Sequence, residues 1–226
     1  MKVRYFGHSC FEIRTKGKII IVDPFISGNP LASAIRAENL KADYLLITHG
    51  HGDHIGDAVE IAKRNGSVVI SNFEVVTWFG EKGIEGHGMN LGGKHVFDFG
   101  IVKYVNAVHS STLPDNSPGG NPGGFVLWNE EACLYIAGDT ALTQDMQLIP
   151  MTCPKLSAAI LPLGDNFTMG YEDALIVAGF IQCDRIIGCH FDTFDVIKVD
   201  HFAAKQAFAT ENKELILLNI GEDITI

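Results

Sequence analysis

The chain has 226 residues, is 46% hydrophobic, and carries 17 Lys and Arg against 27 Asp and Glu, a formal net charge of -10. That length and apolar content suffice for one substantial core, so residues 1 to 226 read as a single domain. The acidic balance argues against nucleic acid as the main partner, but it leaves room for a small phosphorylated or carboxylated ligand, because bound divalent cations offset charge locally.

The opening, Met1-Lys2-Val3-Arg4-Tyr5-Phe6, enters a strand at once, without the positive start, apolar core and small-residue cleavage site of a signal peptide. Apolar segments Val3 to Phe6, Phe11 to Arg14 and Lys18 to Val22, separated at Gly7-His8 and Lys16-Gly17, predict an antiparallel meander. A strand over Tyr44 to Thr48 follows, then a helix over Asp57 to Arg64 stopped by Asn65-Gly66, and a strand over Val68 to Ser71. Phe73 to Lys82 reads as a helix whose Trp78-Phe79 serves either the core or an oligomer contact. Strands are predicted over Lys94 to Phe99 and Ile101 to Val108. They lead into Ser110 to Gly124, a loop holding three prolines and four glycines and expected to form a pocket wall or lid.

Strands over Gly124 to Trp128 and Cys133 to Ala137 precede a helix around Leu142 to Ile149. The remainder alternates: strand Ala158 to Leu161, helix Tyr171 to Phe180, strand Arg185 to Cys189, helix His201 to Thr210 and strand Glu214 to Leu218. A meander feeding alternating strands and helices, then a second such set, predicts a four-layer αββα sandwich of two mixed sheets. No apolar run approaches the ~20 residues of a membrane span, so no membrane partner is expected. Five cysteines, Cys10, Cys133, Cys153, Cys183 and Cys189, are dispersed with no CxxC pair, which fits reduced thiols and a cytoplasmic location.

Chemistry concentrates directly after the Tyr44 to Thr48 strand, in His49-Gly50-His51-Gly52-Asp53-His54. A solitary histidine is usually a satisfied core or surface group, but three imidazoles and a carboxylate interleaved with glycines are ligand types placed to converge on neighbouring points. Both glycines are expected to let the backbone turn tightly beside the ions. Imidazole with some carboxylate suits Zn²⁺ best, and Mn²⁺ or Fe²⁺ gain as the carboxylate share rises. Three more candidates follow predicted strands: His109, Asp139 and His190.

HxHxDH followed by a lone His, a Gly-Asp and a late His, in this order, resembles the metallo-β-lactamase superfamily along essentially the whole chain. Gly7-His8-Ser9, Val22-Asp23-Pro24, His109-Ser110-Ser111, Gly120-Asn121-Pro122 with Gly124-Phe125, Ala137-Gly138-Asp139-Thr140 and Gly164-Asp165-Asn166-Phe167-Thr168-Met169 resemble a branch of small metal-dependent hydrolases related to ascorbate-6-phosphate lactonases. The resemblance implies two divalent ions: His49, His51 and His109 hold the first, Asp53, His54 and His190 the second, and Asp139 bridges them. Paired ions about 3.5–4 Å apart make water a nucleophile at neutral pH and stabilise the oxyanion formed on attack at a carbonyl or phosphoryl centre.

Further roles stay open at this point. Asp53 is also a candidate for proton transfer. Asp23 resembles the carboxylate that orients a ligand histidine, with a turn residue before Pro24 as the alternative. His8 is either a substrate contact and proton donor or an ordinary strand-end histidine. Asp165, Asn166 and Thr168 either shape the substrate pocket or cap a strand-to-helix connection. His87, His95 and His201 lack a motif and are expected on the surface or a helix face.

Rival readings are a diiron oxidoreductase, a nuclease of the same superfamily and a silent binding scaffold. His51 stands where the diiron relatives carry an acidic residue, no basic arm is evident, and all seven ligand positions are filled. The expected substrate is therefore a small, anionic molecule cleaved at an ester, lactone or phosphodiester bond.

Overall fold

Alternating apolar residues and tight turns generate the meander in the computed structural model, which describes residues 1–226. Strands β1 (Lys2–Gly7), β2 (Cys10–Thr15) and β3 (Lys18–Val22) pair antiparallel in succession. Strands β4 (Tyr44–Leu46), β5 (Val68–Asn72) and β6 (Gly86–Met89) then extend the sheet parallel to β3. The second sheet begins with β7 (Lys94–Phe97), β8 (Gly100–Asn106), β9 (Gly123–Trp128) and β10 (Cys133–Ile136). It continues with β11 (Ala158–Pro162), β12 (Arg185–Cys189) and β13 (Glu214–Ile216), all parallel to β10. The last strand, β14 (Asp223–Thr225), returns to the first sheet and pairs antiparallel with β1. Each sheet has seven strands, ordered β14-β1-β2-β3-β4-β5-β6 and β13-β12-β11-β10-β9-β8-β7.

Apolar residues form three buried sheets of contact, which make the four layers. Between the sheets lie Phe11, Ile20, Leu46, Tyr104, Phe125 and Ile160. Outside the first sheet, helices α2 (Ala58–Asn65) and α3 (Phe73–Gly80) press Ile61, Val75 and Phe79 onto Leu45 and Val69. Outside the second, α5 (Tyr171–Phe180) and α6 (His201–Thr210) press Val177 and Phe208 onto Ala159 and Ile186. Trp78 and Phe79 are both buried in the first sheet's outer layer, which assigns them to the core.

Four elements depart from the sequence expectation. Helix α1 (Gly52–Ile55) is a single turn inside the histidine motif. The helix expected over Leu142 to Ile149 is instead a 3-10 turn, Gln144–Leu148, feeding the short α4 (Ile149–Thr152). Pro150 accounts for the shift, since a residue without an N–H is tolerated only in a helix's first turn. Strands β6 and β14 carry no strand pattern: β6 contains two glycines and β14 lies at the chain end, and each forms because a neighbour offers an unpaired edge.

Candidate metal centre

Within the first sheet β1, β3 and β4 run in one direction, and within the second β8, β10, β11 and β12 do. The residues that follow their carboxyl ends meet along one rim: His8 after β1, Asp23 after β3, the histidine motif after β4, His109 after β8, Asp139 after β10 and His190 after β12. His8, Asp23 and His190 have φ of 55°, 41° and 52°, left-handed positions that non-glycine residues hold only when the surroundings enforce them.

Within the motif, His51 is the N-cap of α1, and that turn carries Asp53 and His54 around to face the other strand ends. Neither Gly50 nor Gly52 has a positive φ, so the turn demands glycine at neither; a Cβ at Gly50 would press on Thr112 and Leu113 at 3.2 Å, whereas Gly52 has open space. Gly56, with φ 39°, is the position that requires glycine, since its Cβ would sit 2.4 Å from the Pro24 carbonyl.

Three sets of ligand-type residues have donor atoms within 4.8 Å of one another: His49, His51 and His109; His8, Asp53, His54 and His190; and His49, His54 and Asp139. Asp139 Oδ2 lies 3.0 Å from His190 Nε2, 3.3 Å from His54 Nε2 and 3.6 Å from His109 Nε2, so it stands between the first two sets. His8, expected only as a substrate contact or proton donor, enters the second set, with Nε2 3.1 Å from Asp53 Oδ2 and Nδ1 2.9 Å from the Thr193 hydroxyl. All ion pairs of the centre join histidines to carboxylates, and no Lys or Arg takes part.

Asp23 is the hub behind the ligands. Its Oδ2 accepts from His54 Nδ1 at 2.9 Å and from the Thr48 hydroxyl at 2.7 Å, and its Oδ1 accepts from the Thr48 amide at 2.9 Å. The Thr48 hydroxyl in turn accepts from His49 Nδ1 at 3.0 Å. One carboxylate thus fixes the tautomer of two imidazoles and leaves both Nε2 atoms facing the centre. The sequence reading missed Thr48, although its place directly before the motif was a usable signal. Tyr104, also missed, reaches across the sandwich and donates to the Thr48 carbonyl at 2.9 Å.

Burial, with help from neighbouring imidazoles, pushes His49 well below the ordinary histidine range and lowers His51 and His109, so all three present lone pairs at neutral pH. At His54 burial works the same way but is outweighed by Asp139 and Asp23, which raise it well above that range. Burial opposes ionisation of Asp139 as well, yet His54 and His190 hold it well below the carboxylate range. Burial pushes His8 down to about 4 against the pull of Asp53, and Asp53 itself stays low despite burial through the His8 hydrogen bond and His54. His8 is therefore neutral at pH 7 and donates Nε2–H to an ionised Asp53, with Thr193 donating to Nδ1.

The donor set fits divalent ions on an independent observation. His54 Nε2 and Asp139 Oδ1, which face the centre, are buried without a hydrogen-bond partner, which is costly for polar groups unless a ligand completes them.

The walls are firmer than expected. The Ser111 hydroxyl accepts from the Gly50 amide at 3.0 Å and donates to the Gly119 carbonyl at 2.9 Å. The Asn72 amide donates to the Gly119 and Asn121 carbonyls, and Trp78 Nε1 donates to Asp115. Ser110 to Gly124 is thus a clamped wall and not a free lid. Asp165 and Asn166 are exposed at left-handed φ and Thr168 is half-buried, on a turn tied back by the Met169 amide donating to the Thr140 carbonyl at 2.9 Å. None of the three touches a ligand-type residue through a hydrogen bond. His201 begins α6 and bonds Asp192, while His87 and His95 stack on each other at the far sheet edges.

Comparison with known proteins gives a consistent picture. A family model described as a β-lactamase superfamily domain matches residues 2–190. The chain is similar to a metal-dependent hydrolase from Flavobacterium johnsoniae, 54% identical over 226 residues and covering 100% of both. Among solved structures it resembles a metallo hydrolase from the hyperthermophilic archaeon Ignicoccus hospitalis, with a TM-score of 0.90 and 33% identity over 100% of this chain and 97% of that one. An isothiocyanate hydrolase from Delia radicum gut bacteria shares the fold at a TM-score of 0.80 and 17% identity, over 100% and 99% of the two chains.

Proposed function

The chain belongs to the β-lactamase superfamily and is a metal-dependent hydrolase, and from this premise we propose that it cleaves a carbonyl or phosphoryl ester of a small molecule with two divalent ions held along the rim. His49, His51 and His109 would hold one ion and Asp53, His54 and His190 the second, with His8 hydrogen-bonded to Asp53 beside it; Asp139 would be shared. The observation that carries this reading is the position of Asp139 Oδ2, within 3.6 Å of an imidazole from each set. The histidine-rich donors favour Zn²⁺, with Mn²⁺ or Fe²⁺ competing at the carboxylate-bearing set.

Bound ions supply Lewis acidity and lower the pKa of a water at the rim. The chain's own groups do the rest. Asp23 and Thr48 keep the His49 and His54 imidazoles aimed, so the donors need no rearrangement as charge develops. Asp53, less buried than the other carboxylates here, is the proton acceptor for the attacking water. His8, donating Nε2–H to Asp53 Oδ2, orients that carboxylate, and the proton Asp53 takes from water goes on to the departing oxygen. The clamped wall beside Gly50 shields one side of the centre from bulk water. A lactone, ester or phosphodiester satisfies this arrangement; a polyanion meets a chain of net charge -10. The five unpaired thiols fit a cytoplasmic setting.

Elemental analysis of protein purified without chelator, then reconstituted with Zn²⁺ or Mn²⁺, should give up to two ions per chain. A panel of lactones, esters and phosphodiesters should show turnover that is lost on chelation and in His49→Ala. Absence of binding under both conditions would overturn the assignment, and efficient cleavage of structured RNA with no activity on small compounds would replace it with a nuclease.

A further inference from the structure

The second ligand set has an aromatic flank that no step above uses. The rings of Phe25 and Phe194 both stand edge-on to the His8 imidazole, with centroids 5.6 Å away and interplanar angles of 68° and 69°. His8 touches Asp53 at 3.1 Å, so the two rings flank the second ligand set. Phe25 is half-buried and Phe194 is 38% exposed, so neither is spent on closing the core.

Both are held rigidly. Gly28 and Gly56 make room for Phe25, since a Cβ at Gly28 would lie 2.3 Å from its ring and one at Gly56 2.7 Å from its Cα. The Asp57 carboxylate then fixes the next two amides, Ile26 and Ser27, at 2.9 and 2.8 Å. Phe194 rides on a loop closed at its base by Asp192, which accepts from His201 Nε2 at 2.7 Å and the Val199 amide at 3.0 Å. Val196, on the same loop, is 59% exposed, and Val108, next to His109, is 50% exposed. Exposed apolar side chains on fixed loops around a polar centre are a recognition surface for apolar matter. The charged side chains of this loop, Asp195 and Lys198, pair with each other at 2.7 Å and leave the apolar ones as its unpaired surface.

Resting on the hydrolase reading above, we propose that the substrate carries a compact apolar group, aryl or branched alkyl, seated against Phe194 and Phe25, and that Phe194 is the specificity-determining residue. The reacting carbonyl or phosphoryl end then lies toward Asp53 and Asp139, and the apolar end toward the loop. Negative charge, where the substrate has any, sits at the reacting end.

Two measurements on the metal-loaded protein separate this inference from the hydrolase reading. Calorimetric titration with benzoate, acetate and gluconate needs no turnover: benzoate should bind roughly tenfold tighter than either of the others, and Phe194→Ala and Phe194→Leu should reduce that advantage while metal content and Val96→Ala controls stay unchanged. Initial rates on phenyl acetate and methyl acetate should show Phe194→Ala raising KM for the aryl ester about tenfold, with kcat within about twofold and the methyl ester unaffected. Benzoate binding no tighter than acetate, or equal loss on both esters, overturns the apolar subsite. Tight benzoate binding with no turnover of these esters or of the lactone and phosphodiester panel leaves the subsite standing and overturns the proposed bond chemistry instead.

Discussion

Two histidine pairs in this molecule have their ring centroids 4.1 Å apart: His49 with His54 at the rim, and His87 with His95 where the edge strands β6 and β7 face each other. Their surroundings separate them. At the rim both imidazoles are fully buried, Asp23 and Asp139 lie within hydrogen-bonding or ion-pairing range, and buried polar atoms await a partner. At the edge His87 is half-buried, His95 is exposed, Phe97 packs on both, and no carboxylate bonds to either. The electrostatics part accordingly: Asp139 and Asp23 raise His54 against its burial, whereas burial and His95 lower His87. Imidazole proximity alone does not make a metal centre. Buried carboxylates, which demand positive charge and fix ring orientation, do.

The largest expected contrast follows directly. Asp139→Ala should abolish turnover, by roughly 10³-fold or more, and lower occupancy of both ions, because one carboxylate faces histidines from both sets. His95→Ala should leave activity and metal content alone. Matching behaviour of these two variants in parallel metal analysis and rate assays would break the comparison. Next in size, Asp23→Asn removes the charge behind His49 and His54 while keeping a residue that tolerates φ 41°. Metal affinity should fall about 10–100-fold. Thr48→Val removes the hydroxyl that links Asp23 to His49 and leaves the Asp23 bond to His54 in place, so competition with a chromophoric chelator should show a smaller loss, confined to one of two ions. A smaller effect again is expected of Tyr104→Phe, which deletes a bond to the Thr48 carbonyl that the Gly123 amide still satisfies. Urea unfolding should report a loss of about 0.5–1.5 kcal/mol.

The same contrast explains what was legible from the sequence. Period-two alternation in Val3 to Val22 and the strand–helix succession after Cys133 are local signals, and they gave the sandwich. Strand β14 pairs with β1 across almost the full chain length, and β6 lacks side chains to mark it, so neither left a local trace. Residues 49 to 54 were legible because four ligand-type residues fall within six positions; His109, Asp139 and His190 only because each follows a strand and matches a family pattern. The joining of His8 to Asp53, Thr48 to Asp23 and Tyr104 to Thr48 depends on which strand ends adjoin and what crosses between sheets. Spacing along the chain does not encode that.

The smallest expected effect tests the edge pair as a purely electrostatic object. His87 is lowered by burial first and by His95 second, so the folded protein takes up its proton less readily than the unfolded chain does. Its effect is therefore absent above the ordinary histidine pKa of about 6.5, and stability is lost as pH falls through that value toward the folded one. Metal-loaded protein is the right sample, since ligated rim histidines do not titrate in this interval. In thermal unfolding at about pH 7.5 and about pH 5.5, His87→Gln should lose slightly less Tm than the parent, a difference of about 2 °C or less because His95 is solvent-screened. His95→Ala should recover only part of that difference, since the burial of His87 remains. A larger acid loss in either variant than in the parent would mean that the edge pair gains stability on protonation, and the contrast with the rim would then need a hidden carboxylate at the edge.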